Sequence, residues 1–261
     1  MKKNTITVDK MFDLTGKRAL ITGSSRGIGF ALAKGLGQAG VRLIINGRNL
    51  DELEIAKNKL LDLGYCVKKL SFDVRNHEEV KNKIDFFESE IGQIDILINN
   101  AGIQHRQKLE NFDHLKFNDV IATNLTAVFN VAQAVSPYMI KRKKGKIINI
   151  ASVMTRLARG NVSAYTTSKA GVGGLTKAMT AEWAKYGINC NAIGPGYFAT
   201  ELTKPLFSDQ EFSNWLKNRT PAGRWGEVEE LVGAAIFLSS PASEFVNGHV
   251  LYVDGGMTVT V

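Results

Sequence analysis

Ser152, Tyr165 and Lys169 are residues whose types and spacing can move a proton. Tyr165 stands four positions before Lys169, and residues four apart share one face of a helix, so the Lys169 ammonium is expected beside the Tyr165 phenol. An unperturbed phenol has a pKa of about 10 and is a poor base at neutral pH. A fixed neighbouring cation shifts such a group down by about 1–3 units, toward the range where general acid–base catalysis works. Ser152 follows the apolar run Lys146-Ile147-Ile148-Asn149-Ile150-Ala151, which reads as a buried strand. Its hydroxyl should therefore emerge at the carboxyl edge of that strand. A tyrosine and a lysine at this spacing are common on helices, so the remaining chain has to supply the reacting partner.

That partner is suggested near the N-terminus. Lys17-Arg18-Ala19-Leu20-Ile21-Thr22 has strand character, runs into Gly23-Ser24-Ser25-Arg26-Gly27-Ile28-Gly29, and continues as a helix-like segment from Phe30. Strand, glycine turn and helix is the context of a nucleotide-binding motif. Gly23 permits the tight turn, Gly27 lets a pyrophosphate approach the backbone, and Gly29 lets the helix pack on the strand. Ser25 and Ile28 lie within the same turn, and an anion would rest on free N–H groups at the helix start. The spacing is G-x-x-x-G-x-G, not the general G-x-G-x-x-G.

A second strand, Val41 to Asn46, ends in Asn46-Gly47-Arg48. An NAD site places an acidic residue about 20 positions past the glycines to bind the ribose 2′-hydroxyl. Here Asn46 and Arg48 stand in that region, and Arg26 adds a second guanidinium. Two forked cations suit a 2′-phosphate, so NADP(H) is expected as cofactor, with NAD(H) the alternative.

These residues need a scaffold. Strands are expected near 17–22, 41–46, 66–71, 94–99, 146–151, 188–193 and 249–253, and helices at 27–39, 51–63, 76–90, 113–142, 163–186 and 227–239. This alternation predicts an α/β fold: one doubly wound Rossmann-type domain over 1–261, with a parallel seven-stranded sheet covered by helices on both faces. Ligands on such sheets bind beyond the carboxyl ends of the strands. The stretch 194–226 breaks the alternation, carries Pro195, Pro205 and Pro221, and has one short helix expected at 208–218. It reads as a lid in which Trp215 and Trp225 either clamp a substrate or pack the lid helix.

The 261 residues and net charge of +8 fit a globular enzyme. The charges are scattered, so nucleic acid is not expected as a partner. The one dense cluster, Lys141-Arg142-Lys143-Lys144, reads as a solvated helix C-terminus. Cys66 and Cys190 lack metal-ligand spacing, so no metal is expected. Both read as buried free thiols of a reducing, cytoplasmic compartment. Lys2 and Lys3 precede no apolar stretch, which argues against a signal peptide, and no segment is expected to span a membrane.

In their order along the chain, these motifs resemble those of the short-chain dehydrogenase/reductase family. The resemblance rests on Thr22-Gly23 through Gly29, Asp73-Val74, Asn99-Asn100-Ala101-Gly102, Asn124, Ser152, Tyr165 with Lys169, and Pro195-Gly196. It implies that Asp73 and Val74 hold the adenine and that Asn100, Ala101 and Gly102 line the cofactor. Asp73 and Asn99 could instead merely close turns. The resemblance further implies that Lys169 binds the nicotinamide ribose, that Asn124 holds a water leading from Lys169 to solvent, and that Pro195, Gly196 and Thr200 shape the nicotinamide pocket. Ser152 and Tyr165 would act on the substrate oxygen.

Asn99 to Gln104 and the C-terminal third resemble the branch of the family that interconverts D-gluconate and 5-keto-D-gluconate. A sugar-acid substrate needs a cation for its carboxylate; Arg106 and His105 are the first candidates, with Arg156 and Arg159 as others. Alternatives are a 3-oxoacyl-thioester reductase of the same family, a non-catalytic NADP-binding regulator, and, on charge alone, a nucleic-acid-binding protein. The family resemblance also implies a homotetramer built through 113–142, 163–186 and the C-terminal strand and helix.

Overall fold

The structure, a computed structural model, describes residues 7–260; Lys2 and Lys3 lie outside the described residues. Its sheet contains β1 (Arg18–Ile21), β2 (Arg42–Ile45), β3 (Val67–Lys69), β4 (Ile96–Asn99), β5 (Gly145–Ile150), β6 (Ile188–Pro195) and β7 (Val250–Val253). All neighbours are parallel, in the order β3-β2-β1-β4-β5-β6-β7. The α-helices among the described residues are α1 (Val8–Phe12), α2 (Gly27–Gln38), α3 (Leu50–Asp62), α4 (His77–Phe86), α5 (His114–Ile121), α6 (Ala127–Arg142), α7 (Ser163–Trp183), α8 (Lys204–Phe207), α9 (Gln210–Arg219) and α10 (Val232–Ser239). The doubly wound seven-stranded domain expected from the alternation is what the chain forms.

Strand side chains alternate between two cores. Leu20 and Leu97 face a layer with Val80, Ile84, Val131, Val135 and Met179 of α4, α6 and α7. Ala19, Ile21, Ile96 and Ile98 face Leu32, Leu36, Leu53, Leu60 and Leu238 of α2, α3 and α10. Burial on both faces explains the continuous apolar runs of β1, β4 and β5. Strand order reverses between β1 and β4, so the loops after those strands diverge and open a crevice at their carboxyl ends.

Several expectations need correction. The helix expected over 113–142 is interrupted by a π-helical turn at Ala122–Thr126, a deviation that often marks a functional site. Within α6, Pro137 removes the N–H that would have served Gln133, and the Ser136 hydroxyl donates to that carbonyl instead, at 3.2 Å. The segment after β6 holds two helices, α8 and α9, where one was expected. Cys66 is exposed rather than buried, because it lies just before the edge strand β3, which pairs with β2 alone. Arg142 is not simply solvated: it pairs with the buried carboxylate of Glu88 at 3.1 Å and donates to the Ile94 carbonyl. In α7, Gly171 and Gly173 pack against Leu125 and Thr155 of the same chain, whereas Ala170, Gly174, Ala178 and Ala181 are exposed.

Gly29 fixes α2 on the sheet. A Cβ there would run into the Gly23 carbonyl, the Asn100 amide and Ser24. Gly29→Ala should destabilise the fold by about 1–3 kcal/mol, measured by urea unfolding; an unchanged midpoint would contradict this close packing.

Candidate active site

The glycine turn is built by hydrogen bonds between the ends of β1 and β4. Thr22 Oγ1 accepts from the backbone N–H groups of Asn100 (3.0 Å) and Ala101 (3.1 Å). Asn100 Nδ2 returns two bonds, to the Thr22 and Gly23 carbonyls, each at 2.9 Å. Gly23 has φ +60°, and a Cβ there would lie 2.8 Å from Ala101 Cα, so only glycine lets the two loops touch. Gly27 also has positive φ, but its Cβ position meets nothing within 4 Å and opens toward the crevice. The N-terminus of α2 at Arg26 has no side-chain cap. Its free N–H groups and Gly27 together fit a pyrophosphate.

A cleft of about 960 Å³ runs from this turn across the carboxyl ends of the strands. Gly23, Ser25, Arg26, Gly27, Ile28, Asn46, Arg48, Asp73, Val74, Asn100, Ala101, Gly102, Ser152, Tyr165, Lys169, Pro195, Gly196 and Thr200 all line it. Gly29 does not; its contribution is packing.

Asn46 lines the wall, yet its side chain is committed elsewhere. Nδ2 donates to the Leu70 and Phe72 carbonyls at 2.9 and 3.2 Å, and Oδ1 accepts from Gly23 N at 3.3 Å. It braces β2, β3 and the glycine turn. Both expected arginines face carboxylates. Arg26 pairs with Glu52 at 3.2 Å and with Glu201 at 3.3 Å, and Arg48 pairs with Asp73 at 3.5 Å. These exposed pairs are weak, so the guanidiniums stay available to a phosphate. Asp73 is held more firmly by Arg75, which keeps its carboxyl below the usual range. Asn99 turns into the core and donates to Asn149 at 2.9 Å, supporting the sheet.

Sequence reasoning missed Glu52, Ile103, Thr123, Phe198, Glu201, Leu202 and Thr203 among the lining residues. Glu52 had a signal: Asn49 caps α3 by accepting from Asp51 and Glu52 N–H groups. A helix capped directly after β2 brings its first turn to the cleft.

At the far end, β5 and α7 bring the proton-handling residues together. Lys169 is buried, and its Nζ donates to the Ile150 carbonyl at 2.6 Å. Burial pulls its ammonium down to about 8. Nζ lies 5.7 Å from the Tyr165 ring centroid. Ser152 is buried, and its Oγ accepts from Met154 N at 3.1 Å.

The electrostatics differ from expectation. Burial pushes the Tyr165 phenol up, opposed by a hydrogen bond with Ser152 and by Arg106. Burial outweighs the neighbouring cations, so the phenol is raised where a lowered value was expected, while the Lys169 ammonium over its ring also donates to the Ile150 carbonyl. Asn124, in the π-turn, accepts from Ile103 N at 2.8 Å and donates to the Ile103 carbonyl at 2.9 Å and Ser168 Oγ at 3.2 Å. Its side chain braces the loop after β4 against α7, and it does not line the cleft.

Of the substrate candidates, Arg106 is exposed and does not line the cleft itself, though its charge is felt by Tyr165 and Tyr197. His105 does not join them: its ring packs edge-on against Phe112 at 5.5 Å and bonds Gln107 at 3.1 Å. The Arg156 guanidinium lies 5.3 Å over the Tyr252 ring. Trp225 is buried, donates to Ser213 at 2.9 Å and packs on Tyr197 and Phe207. Trp215 stacks at 5.2 Å on Phe212. Neither tryptophan lines the main cleft; both pack α9 and its surroundings. Among the described residues, no group of three or more His, Cys, Asp or Glu could hold a metal ion.

Comparison with known proteins agrees with this architecture. The short chain dehydrogenase family matches residues 17–211. Gluconate 5-dehydrogenase of Gluconobacter oxydans (strain 621H) is 51% identical over 251 residues, 96% of this chain and 98% of that protein. The 5-keto-D-gluconate 5-reductase of Escherichia coli (strain K12) is 49% identical, covering 97% of this chain and 100% of its own. A crystal structure of a gluconate 5-dehydrogenase from Burkholderia cenocepacia J2315 in complex with NADP and tartrate is 52% identical, with a TM-score of 0.95 over 97% of this chain and 99% of that one. With this extent of similarity added to the geometry of its cleft, the chain belongs to the short-chain dehydrogenase family.

Proposed function

We propose that the protein is an NADP(H)-dependent oxidoreductase that reversibly interconverts D-gluconate and 5-keto-D-gluconate. The observation that carries this reading is one cleft lined by both the glycine turn and Ser152, Tyr165 and Lys169, with the charge of Arg106 acting on Tyr165. The relatives named for gluconate or its 5-keto form match over nearly their whole length.

The glycine turn, with Gly27 at its open point, holds the pyrophosphate at the start of α2. Arg26 and Arg48 exchange their surface carboxylates for the 2′-phosphate. Asp73 and Val74 flank the adenine, while Pro195, Gly196 and Thr200 shape the nicotinamide end. NADP(H), when bound, supplies or accepts the hydride.

Ser152 donates a hydrogen bond to the reacting substrate oxygen. Tyr165 delivers a proton to that oxygen in reduction and takes it back in oxidation. Its raised pKa keeps the phenol protonated at neutral pH, which suits reduction; oxidation needs the phenolate and is favoured as pH rises. Lys169, with a pKa of about 8, binds the ribose and relays protons at the cleft floor. Arg106 takes the substrate carboxylate. Residues 194–226 act as a lid, and its two short helices and aromatic packing support that role.

The proposal includes a cytoplasmic homotetramer. Two unpaired cysteines and exposed apolar side chains at Leu115 and Phe129 of α5 and α6 support it, and light scattering would measure the assembly.

The decisive assay follows NADPH formation with gluconate and its consumption with 5-ketogluconate and, side by side, with acetoacetyl thioester. Tyr165→Phe should lower turnover by at least about 10²-fold with folding intact; near-normal turnover would remove the tyrosine from the mechanism. Lys169 also gives a stability signature. It titrates near 8 in the native state but near 10.4 when unfolded. Between about pH 8 and 10 the unfolded chain therefore binds more protons, and native stability contributed by this group rises with pH. Urea unfolding at pH 7, 8.5 and 10 should show this gain in the wild type relative to Lys169→Met; a pH-independent difference would contradict a buried, charge-strained lysine.

A further inference from the structure

Arg159 is a second cation at the substrate end, and three observations place it there. The loop after β4, which carries Arg106, is stitched to the loop before α7, which carries Arg159. Gln107 N–H donates to the Asn161 carbonyl at 3.0 Å, and Asn161 holds a positive φ of 65° at that junction. Arg159 is also tied to the lid: its guanidinium lies 4.8 Å over the Phe212 ring of α9. That ring packs in turn on Tyr197 at 5.6 Å. Finally, Arg159 Nε is buried and has no hydrogen-bond partner.

Among the described residues, neither Arg106 nor Arg159 forms an ion pair. Partial burial lowers the basicity of Arg106, and the like charge of Arg159, on the loop stitched to its own, adds to that effect. An anion placed between them removes that repulsion and supplies the missing acceptor. Arg156 differs from Arg159 in its stacking partner, Tyr252 rather than the lid ring Phe212.

We propose that Arg159 is a specificity-determining residue that joins Arg106 in a two-guanidinium seat for the substrate carboxylate, one half on the loop after β4 and the other resting on the lid helix. The proposal rests on the sugar-acid reading above and deepens it. The planar fork matters here, because it can meet both carboxylate oxygens while its face stays on Phe212. The carboxylate then selects acids over the matching polyols, and seating it fixes α9 over the cleft.

The test compares wild type, Arg159→Gln, Arg159→Lys and Arg106→Ala with D-gluconate and with D-glucitol, which carries a hydroxymethyl group in place of the carboxylate. A charge-assisted bond contributes about 1.5–3 kcal/mol, so Arg159→Gln should raise the gluconate KM by roughly 10–150-fold with kcat nearly unchanged. Arg106→Ala should act in the same way. Lysine should rescue only part of the loss, and NADPH binding and the melting temperature should stay at wild-type values. A gluconate KM unchanged in Arg159→Gln, or equal losses for gluconate and glucitol, would overturn the proposal. Calorimetric titration of the NADP-loaded protein with tartrate, a small dicarboxylate, judges the seat apart from turnover. Binding at least tenfold weaker in Arg159→Gln supports it, whereas equal binding or no binding to wild type overturns it. A wild type that binds tartrate but does not oxidise gluconate would sink the substrate assignment and leave the seat standing.

Discussion

The hydrogen bond from the Lys169 ammonium to the Ile150 carbonyl is the constraint on which the catalytic end of the cleft depends. It joins the second turn of α7 to the last residue of β5. Because Tyr165 lies one helical turn before Lys169 and Ser152 two residues beyond Ile150, that single tie sets phenol and hydroxyl side by side. Burying an ammonium is unfavourable, and the fall of its pKa to about 8 records that cost. Ordinary packing would be better served by an apolar side chain at this position. A lysine retained there argues for chemistry rather than stability.

The charge layout of the cleft follows one logic at both ends. At the nucleotide end, Arg26 and Arg48 are shielded by Glu52, Glu201 and Asp73 in exposed pairs that a phosphate can displace. At the substrate end, Arg106 and Arg159 have no such partners among the described residues. Between them lies a polar brace of Thr22, Asn46, Asn100 and Asn124, whose side chains bond mainly to backbone. That brace ties together the loops after β1, β2 and β4 that carry the two cationic ends.

Much of this was legible in the sequence. Parallel strands buried on both faces write continuous apolar runs, so the strands were found to within a few residues, and the glycine turn announced the crevice. The meeting of Ser152, Tyr165 and Lys169 was legible because their spacing matches a helix period and a strand end. What was not legible depended on long-range contacts. Asn46 and Arg48 look alike as cleft residues, yet Asn46 is consumed by the Leu70 and Phe72 carbonyls 24 and 26 residues away. His105 and Arg106 are adjacent, and the Phe112 ring and the Gln107 side chain hold the histidine aside. The direction of the Tyr165 shift also escaped sequence reasoning, because i to i+4 spacing says nothing of how deeply the fold buries the phenol.

The most direct measurement is a crystal structure of the protein with NADP and gluconate bound. The account predicts the Tyr165 phenolic oxygen and Ser152 Oγ both within hydrogen-bonding distance of the C5 hydroxyl, with C5 facing the reactive carbon of the nicotinamide. A sugar acid bound with another carbon at that point, or a phenol turned away from it, would contradict the account.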